Sequence, residues 1–397
     1  MGLRRAVLLG ALGAAVVLLV AGPTAAVAGG GGSSTVPPTS LPMPTGPGAP
    51  TLQADVTYGR AGGQTLLLDV YQPATAGTNR PAVVLIHGGG WQVGDKSSAQ
   101  PEAVALAQAG FVAFAPNYRL DAPDPWPAEL QDVQQAVRWV QDNAATYGVD
   151  PTRIGAFGGS AGGNLAMLLG TSGVGGSNRP PVRAVVSWSG PSDLVSLSPT
   201  NLSSNGVEAR GSVPGANRPA ACGSDPNCVG VIDPSVVAAY IGCTVTQCPA
   251  QYRAASPVFH VTSSTPPMQL VSSVEDLVPI TQAQEMADQL TRAGVSAQML
   301  AVPGDAHADA YQDVATAPMV QFFTTYLVDQ VDPHVPAGTP TTTWLPRSAV
   351  GALPESALFR GRALQVIVVV LALVAVAGLA LVAVARARHW HPDLRAR

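Results

Sequence analysis

Charged residues are scarce in this 397-residue chain, at 12% of the sequence, and the formal net charge is only −4. Lysine and arginine form no basic cluster, which argues against nucleic acid as a partner. Mean hydropathy is positive at +0.23, so we expect part of the chain to lie in lipid. The length allows one large α/β domain with additional segments at either side.

The first residues have the pattern of a secretory signal. Two arginines precede the apolar run Ala6–Ala21, and small residues end in the triplet Ala26–Ala28. This pattern predicts a signal peptide over residues 1–28 and therefore an exported chain. An uncleaved anchor helix is the alternative, disfavoured because the run is short and an A-x-A site follows it. Residues 29–51, rich in Gly, Ser, Thr and Pro, are expected to form a flexible linker.

A second long apolar run lies near the C-terminus. Residues 364–384 carry no charge and are long enough to cross a bilayer, whereas a core helix rarely stays apolar on every face. Arginines in residues 385–397 favour a cytoplasmic tail. We therefore predict a single-pass membrane anchor, joined through a Pro/Thr-rich linker (331–360) to an extracytoplasmic domain. Leu353–Ala357 resembles a sortase sorting signal only faintly, since two positions depart from Leu-Pro-x-Thr-Gly.

Cysteine is rare, and all four residues fall in one short region. They are Cys222, Cys228, Cys243 and Cys248. In an exported chain an even number of clustered cysteines is typical of disulfides. We favour the local pairs Cys222–Cys228 and Cys243–Cys248, although other connectivities remain open. A zinc site is the rival interpretation, but neither pair has C-x-x-C spacing and no histidine lies between them, so no metal is predicted.

The chain is organised around a glycine-rich corner, Ile154–Leu165. An apolar run of strand type leads into the Gly-x-Ser-x-Gly string Gly158–Gly162, and a helical pattern follows. This context is typical of a nucleophile elbow, in which a tight turn raises the serine hydroxyl above the sheet edge. The helix N-terminus would also favour negative charge that develops nearby. We predict that Ser160 is a nucleophile; the alternative is a glycine-rich loop with a capping serine.

A second glycine-rich string follows another apolar run. Ala82–Ile86 has the composition of a strand covered on both faces, and the string His87–Trp91 (HGGGW) comes directly after it. The N–H groups of consecutive glycines can point at a substrate oxygen and stabilise the negative charge that develops on it. The alternative is a simple turn after a core strand.

Strand and helix patterns alternate through this region. Helices are expected over Ala99–Gln108 and Pro127–Tyr147, with strands over Phe111–Pro116, Arg153–Phe157 and Val182–Ser187, after a hairpin formed by Val56–Tyr58 and Thr65–Tyr71. This alternation specifies a mostly parallel sheet with crossover helices on both faces. The predicted fold class is α/β, in a domain over residues 52–330.

Three motifs together resemble those of the α/β-hydrolase esterases. They are His87–Trp91, Pro116–Leu120, and Asp150–Gly155 running into Gly158–Gly163. The HGGGW form is similar to that of the hormone-sensitive-lipase group and the related feruloyl-esterase-like carboxylesterases. The resemblance covers about Leu52–Leu327 and implies the α/β-hydrolase fold, with an oxyanion hole formed by Gly88, Gly89 and Ala161.

The resemblance also implies where the acid and base of a catalytic triad should lie. The family acid commonly stands in H-G-x-x-D-x-x-V-P, and alignment on Val278-Pro279 slightly favours Glu275, whereas residue type favours Asp276. Either carboxylate could instead cap a helix or lie in a loop. His307 follows the last predicted strand of the domain, where the general base is expected. The order Ser160, acid, His307 is that of this fold.

The alternation of strands and helices stops between Gly190 and Ala255. This segment is polar, rich in Gly, Pro and Ser, and contains all four cysteines. A loop of this length without a role is uncommon, and hydrolases often place a cap over the active site at this point. We expect a cap insertion over about residues 191–255, the alternative being a surface loop without function.

These assignments predict transfer of an acyl group from a carboxylic ester to water through an acyl-enzyme on Ser160, with no metal or organic cofactor. Trp91, Tyr118 and Asn164 lie close to the motifs and are candidates for the substrate pocket. The substrate would be a small-molecule ester or one linked to the cell envelope. A peptidase or amidase on the same scaffold and a catalytically inactive cell-surface binding domain are the alternative functions.

Overall fold

The structure is a computed structural model. It describes residues 41–120, 123–172, 181–197, 232–334 and 342–344. The predicted signal peptide (1–28), membrane helix (364–384) and cytoplasmic tail (385–397) lie outside the described residues, as do Cys222 and Cys228. None of the helices in the described ranges is both long and apolar enough to span a bilayer.

A central sheet organises the described chain. Its nine strands are β1 (Thr51–Ala61), β2 (Gln64–Gln72), β3 (Arg80–Ile86), β4 (Val112–Pro116), β5 (Val149–Gly159), β6 (Ala184–Trp188), β7 (Met268–Ser273), β8 (Ala297–Val302) and β9 (Thr342–Trp344). Their spatial order is β1-β2-β4-β3-β5-β6-β7-β8-β9. β1 and β2 form the predicted antiparallel hairpin, β2 is antiparallel to β4, and all other neighbouring strands are parallel.

Helices connect the strands, as the predicted alternation requires. They are α1 (Gln100–Gln108), α2 (Ala128–Asp142), α3 (Ala144–Tyr147), α4 (Ala161–Thr171), α5 (Pro234–Ile241), α6 (Pro249–Ala254), α7 (Ile280–Arg292) and α8 (Gln312–Phe323). Short 3-10 turns cover Lys96–Ala99, Pro257–His260 and Ala308–Tyr311, and a π-helical turn covers Thr324–Val328. The α/β class predicted from the sequence is confirmed.

The central strands of the sheet are buried on both faces. Along β3, Val84 and Ile86 belong to the core that includes α2, α4 and α7, whereas Val83 and Leu85 belong to the core that includes α1 and α8. Successive strand residues point to opposite faces, so a strand covered on both sides must be apolar at every position. This explains the uninterrupted apolar run that precedes the HGGGW string.

Some boundaries differ from the expectations. The single helix predicted over Pro127–Tyr147 is divided, because Asn143 (φ −102°, ψ 10°) leaves the helical region between α2 and α3. The linker predicted over residues 331–360 contains β9, which pairs in parallel with β8. Two threonines begin that strand, and their branched Cβ atoms favour extended backbone.

The last part of the linker predicted over residues 29–51 contacts the domain. The carbonyl of Leu41 accepts a hydrogen bond from Gln100 Nε2 at 2.6 Å, and Met43 packs against the core beneath α1 and α8. β1 then begins at Thr51. Contacts with the domain therefore extend at least to Leu41, about ten residues before the boundary that composition suggested.

Of the seven mutually parallel strands, five adjacent ones place their carboxyl ends side by side at the edge of the sheet that bears the candidate site. They are β3, β5, β6, β7 and β8. In open α/β sheets, ligand sites lie at this edge, where successive loops converge. The loops after β3, β5, β7 and β8 carry the HGGGW string, Ser160, the two candidate acids and His307.

Candidate active site

Ser160 occupies a sharp turn between β5 and α4. Its backbone is left-handed (φ 54°, ψ −121°), its N–H donates to the Trp188 carbonyl at 2.7 Å, and its carbonyl accepts the Asn164 N–H at 3.1 Å. The turn leaves no room for side chains beside the serine, because a Cβ on Gly162 would lie 2.0 Å from the Ile86 carbonyl oxygen. The strand–turn–helix context predicted for Ser160 is confirmed.

His307 lies in the loop after β8 and pairs with a carboxylate. Its Nδ1 is 2.6 Å from Asp276 Oδ1. The Asp276 side chain is fully buried, whereas the His307 side chain is 26% exposed. Because a carboxylate can only accept, Nδ1 carries the shared proton. The second ring nitrogen, Nε2, is then left as an acceptor.

The carboxylate next to His307 belongs to Asp276, and the preference for Glu275 is wrong. Asp276 turns back onto its own loop, where Oδ1 accepts the Val278 N–H at 3.1 Å. Glu275 is held by its backbone N–H, which donates to the Gly304 carbonyl at 2.9 Å. One residue separates Asp276 from Val278, one fewer than in the family pattern. Counting back from Val278-Pro279 with the family spacing therefore goes one residue too far and reaches Glu275.

Two hydroxyl groups that sequence reasoning missed complete the surroundings of Asp276. Ser189 Oγ donates to Asp276 Oδ2 at 2.5 Å, and the Tyr311 hydroxyl lies 2.7 Å from Ser189 Oγ. Weaker contacts come from Ser272 Oγ and the Ser273 N–H, both 3.3 Å from Oδ2. Burial, with the nearby charge of Asp276, raises the pKa of Tyr311 well above its ordinary value, so Tyr311 remains a hydroxyl. The available signal was positional, since Ser189 directly follows β6 at the same sheet edge.

The glycines of the HGGGW loop lie against the elbow. A Cβ on Gly88 would be 3.0 Å from the Gly159 carbonyl oxygen and 3.3 Å from Ser160 Cβ. Gly89 is left-handed (φ 114°), and a Cβ there would lie 2.0 Å from the Val93 carbonyl oxygen. Ala161, the third predicted oxyanion residue, begins α4 directly after Ser160 and is buried. Gly88 and Ala161 thus lie directly beside Ser160, and Gly89 follows in the same loop as Gly88.

The three residues predicted to line the substrate pocket lie beneath it instead, and that prediction is wrong. Trp91 is fully buried, Tyr118 stacks on the His87 ring at 4.3 Å, and Asn164 is fully buried in α4. The Tyr118 hydroxyl donates to the His87 carbonyl at 3.0 Å. These three residues are close to the motifs in sequence because they pack under the HGGGW loop and the elbow, and they are not exposed to a substrate in the cleft.

Helix α5, in the described part of the cap insertion (residues 191–197 and 232–255), packs against the HGGGW loop. Tyr240 on α5 stacks on Trp91 with ring centroids 4.0 Å apart and planes at 3°. Val236 Cγ1 lies 3.1 Å from the position that a Cβ on Gly90 would take. The predicted disulfide Cys243–Cys248 is confirmed, just after α5. The insertion is therefore attached to the candidate active site.

Ser160 and His307 line a common cleft with a volume of about 440 Å³. Its other lining residues are Gly88, Gly89, Gly90, Gly94, Ser98, Gly159, Leu277, Ala308 and Asp309. Loss of surrounding water raises the pKa of the Asp309 carboxyl above its usual range, with the nearby His307 opposing the shift. A serine, a histidine oriented by a buried carboxylate, and adjacent glycine N–H groups are the components of nucleophilic acyl transfer.

Comparison with known proteins agrees with this fold. The BD-FAE family model matches residues 68–290, more than half of the chain. The matched span contains Ser160 and Asp276 and ends before His307. Esterase LipQ of Mycobacterium tuberculosis is 28% identical over 265 residues, which cover 64% of this chain and 56% of that protein. Carboxylesterase NlhH of the same species is 40% identical over 114 residues, 28% of this chain and 36% of that protein.

The chain thus spans about a third to just over half of the length of these curated relatives. A solved structure of a truncated carbohydrate esterase from gut microbiota has a TM-score of 0.57 and 26% identity, covering 72% of this chain and all of that one. The esterase Est2 of Thermogutta terrifontis, at TM-score 0.53 and 24% identity, covers 71% of this chain and 94% of its own and supports the fold alone. The chain belongs to the BD-FAE family and has the α/β-hydrolase fold.

Proposed function

We propose that the protein is a serine hydrolase that cleaves carboxylic esters. The observation that carries this proposal is the 2.6 Å pairing of His307 Nδ1 with Asp276 Oδ1, beside a cleft that Ser160 also lines. Because Asp276 occupies Nδ1, His307 Nε2 is free to accept the Ser160 proton. The names of the relatives, esterase LipQ and carboxylesterase NlhH, favour the same reaction class.

In the acylation half of the reaction, Ser160 Oγ attacks the ester carbonyl carbon while His307 takes the hydroxyl proton. Negative charge develops on the carbonyl oxygen, where the N–H groups of Gly88, Gly89 and Ala161 would stabilise it. Loss of one such donor typically costs about 3 kcal/mol. Asp276 keeps the imidazole in the required tautomer and balances the charge of the imidazolium. His307 then protonates the leaving alcohol, and the acyl group remains on Ser160.

In the second half, His307 removes a proton from water as the water attacks the acyl-enzyme. The same N–H groups stabilise the second oxyanion, and its collapse releases the carboxylic acid. The proton on His307 returns to Ser160 Oγ. These steps require no metal or organic cofactor.

The proposal is tested by hydrolysis of p-nitrophenyl acetate and butyrate by the full-length chain. We expect Ser160→Ala to abolish turnover and Asp276→Asn to lower kcat by roughly 10³–10⁴-fold, because the imidazole would lose its orienting carboxylate. Glu275→Gln is the matched control: it removes the adjacent carboxylate and should keep kcat within about twofold.

Two results would contradict the proposal in different ways. A wild-type chain that neither turns over these esters nor reacts at Ser160 with a fluorophosphonate probe would exclude the serine hydrolase mechanism. A wild-type level of activity in Asp276→Asn, with loss in Glu275→Gln, would retain the mechanism and reverse the assignment of the acid.

We also propose that the chain is exported and held in the cell membrane, with residues 52–330 outside the cytoplasm. The signal pattern of residues 1–28 and the uncharged run 364–384 support this arrangement. An envelope location would make both small-molecule esters and envelope-linked esters accessible. Protease treatment of intact cells should then degrade the domain and spare a C-terminal tag. A tag that is digested together with the domain would contradict the proposed orientation.

A further inference from the structure

Ser189 lies between the two loops that supply the candidate acid and base. It directly follows β6, is 2% exposed, and has a left-handed backbone (φ 51°). Its N–H donates to the Val271 carbonyl on β7 at 2.7 Å. Its side-chain oxygen contacts Asp276 on one side and the Ala308 N–H, next to His307, on the other.

The directions of these hydrogen bonds follow from the chemistry of the partners. The Ala308 N–H, 3.0 Å from Ser189 Oγ, can only donate, and the Asp276 carboxylate, at 2.5 Å, can only accept. Ser189 must therefore give its single proton to Asp276 Oδ2. Its second lone pair faces the Tyr311 hydroxyl at 2.7 Å, and that hydroxyl also lies 3.1 Å from the Val271 carbonyl.

We propose that Ser189 is a positioning residue of the candidate triad, which holds the Asp276 carboxylate and the His307 loop in a fixed relation. This inference rests on the proposed function, since it concerns the orientation of the same acid and base. One hydroxyl fixes Oδ2 of Asp276, so that Oδ1 is directed at His307 Nδ1. The same hydroxyl accepts from the backbone of the residue that follows His307.

The buried tyrosine supports this arrangement. Tyr311 is fully buried and is held against Trp188, the residue before Ser189, with ring centroids 5.7 Å apart. Its single hydroxyl proton is shared between Ser189 Oγ and the Val271 carbonyl, so Tyr311 does not take the proton that Ser189 gives to Asp276. Tyr311 therefore acts on the triad through Ser189, as a second positioning residue.

The test uses the full-length chain and compares Ser189→Ala, Ser189→Gly and Tyr311→Phe in p-nitrophenyl butyrate hydrolysis. Rates are divided by the number of active sites titrated with a fluorophosphonate. We expect Ser189→Ala to lower kcat at least about tenfold with KM changed less than about twofold, because the hydroxyl does not contact substrate. Tyr311→Phe should lower kcat by a smaller factor. Ser189→Gly also relieves the left-handed backbone, so it gives the same comparison if Ser189→Ala folds poorly.

The pH profile separates positioning from a general loss of structure. Loss of one donor leaves more negative charge on Asp276, which favours protonated His307, so the acidic limb of kcat/KM should move to higher pH by about half a unit in Ser189→Ala. Asp309 and Tyr311 also lie near this pair, and both residues are retained in that variant; loss of the Ser189 hydroxyl raises the pKa of Tyr311 further, so Tyr311 stays a neutral hydroxyl. A lower rate with an unmoved limb would indicate a merely structural role and overturn the inference.

The matched control is a second serine–tyrosine pair away from the cleft. Ser296 Oγ lies 2.8 Å from the Tyr326 hydroxyl. Ser296→Ala removes the corresponding contact and should leave kcat and the pH profile unchanged. Wild-type kcat per titrated site in both Ser189 variants would overturn the inference while the proposed function stands. An inactive wild-type chain with an unreactive Ser160 would instead overturn the proposed function itself.

Discussion

Three residues of the loops that form the candidate triad and its immediate surroundings have left-handed backbones although they carry a Cβ. They are Ser160 (φ 54°), Ser189 (φ 51°) and Ala308 (φ 46°). This conformation costs on the order of 1–2 kcal/mol for such residues, and it persists where surrounding contacts over-determine it. Two of the three are held by the hydrogen bond between Ser189 Oγ and the Ala308 N–H. Contacts among the residues of the candidate triad and its surroundings therefore hold strained backbone in place.

A buried carboxyl group lies on α1, near the same edge. Glu102 is 1% exposed, and its Oε1 has no hydrogen-bond partner among the described residues. Burial raises its pKa from 4.5 to about 8, with a further contribution from the negative charge of Asp309. The folded protein therefore keeps Glu102 protonated over a range in which the unfolded chain ionises it. Stability should fall as pH rises from about 4.5 to about 8, and remain level above that range.

We predict that Glu102→Gln removes most of this pH dependence. The difference in unfolding free energy between pH 5 and pH 9 should shrink by on the order of 3 kcal/mol, because the variant has no carboxyl to ionise. Urea unfolding of both proteins at the two pH values measures this difference. Equal losses of stability in wild type and variant would show that Glu102 is not the group responsible.

Single residues were predictable where a local motif carries them. Ser160 and the glycines Gly88 and Gly89 stand in strings whose chemistry is readable without the fold, and His307 follows from chain order. The sequence did not show whether Asp276 or Glu275 is the candidate acid. The loop is one residue shorter than the family pattern, which shifts the alignment, and no neighbouring residue reveals that shift. Ser189 and Tyr311 acquire their contacts only when β6, β7 and the 3-10 turn after β8 converge.

At the scale of elements, helix α5 supports the HGGGW loop. Tyr240 covers the indole of Trp91, and Trp126 packs edge-on against the same tyrosine ring at 5.8 Å. The Tyr240 carbonyl also accepts the Trp126 N–H at 2.8 Å. A helix of the cap insertion is thus joined to the loop that presents the predicted oxyanion glycines. Substitutions in this helix are therefore expected to change the reaction rate through the HGGGW loop and not through a contact with substrate.

We predict that Tyr240→Ala lowers the unfolding free energy by about 3 kcal/mol, because it removes a fully buried aromatic ring. It should also lower kcat by roughly tenfold, because the HGGGW loop loses its support. Thermal unfolding and p-nitrophenyl butyrate kinetics measure the two effects.

The matched control for this prediction is Tyr240→Phe. The Tyr240 hydroxyl is buried and finds no hydrogen-bond partner among the described residues. Its removal keeps the stack on Trp91 and should leave stability unchanged or slightly higher. Equal effects of the alanine and phenylalanine variants would contradict the role given to the stacked rings.

Elements were predictable where periodicity is strong. The hairpin, the buried strands and most helices follow from apolar patterns that depend only on neighbouring residues. The break at Asn143 and the strand β9 do not, since a helix end and an edge strand depend on what packs against them. Composition likewise suggested a linker around Leu41, but the Leu41 carbonyl accepts a hydrogen bond from Gln100 at the start of α1.

At the scale of the whole molecule, the sheet separates chemistry from stability. The candidate triad occupies the carboxyl edge, whereas Arg153, near the start of β5, joins distant segments at the other edge. Its Nε donates to Asp150 Oδ2 at 2.8 Å, its Nη1 to the Leu327 carbonyl at 3.2 Å, and its Nη2 to the Asn79 carbonyl. One guanidinium thus links the segment before β3, the start of β5 and the π-helical turn after α8.

We predict that Arg153→Ala lowers the unfolding free energy by about 1–2 kcal/mol, because three acceptors lose their donor. Its kcat per titrated site should equal that of the wild type, because the cleft is at the opposite edge. Arg153→Lys keeps the positive charge but loses the several N–H donors of the guanidinium, so its stability should lie between those of the wild type and Arg153→Ala. Urea unfolding with active-site titration measures both quantities. A large fall in kcat per site would contradict the separation of the two edges.

The amide of Asn164 has a consequence for how the chain can vary. Its Nδ2 donates to the Pro191 carbonyl at 2.9 Å and to the Ala255 carbonyl at 3.1 Å, so one nitrogen atom holds both ends of the insertion together. The intervening segment therefore leaves the sheet and returns to it at a single point. Changes in its length that leave α5 intact are therefore expected to keep β6 and β7 in place. Under the proposed function, replacement of the part of the segment outside α5 would offer a modular route to altered substrate range on the same sheet.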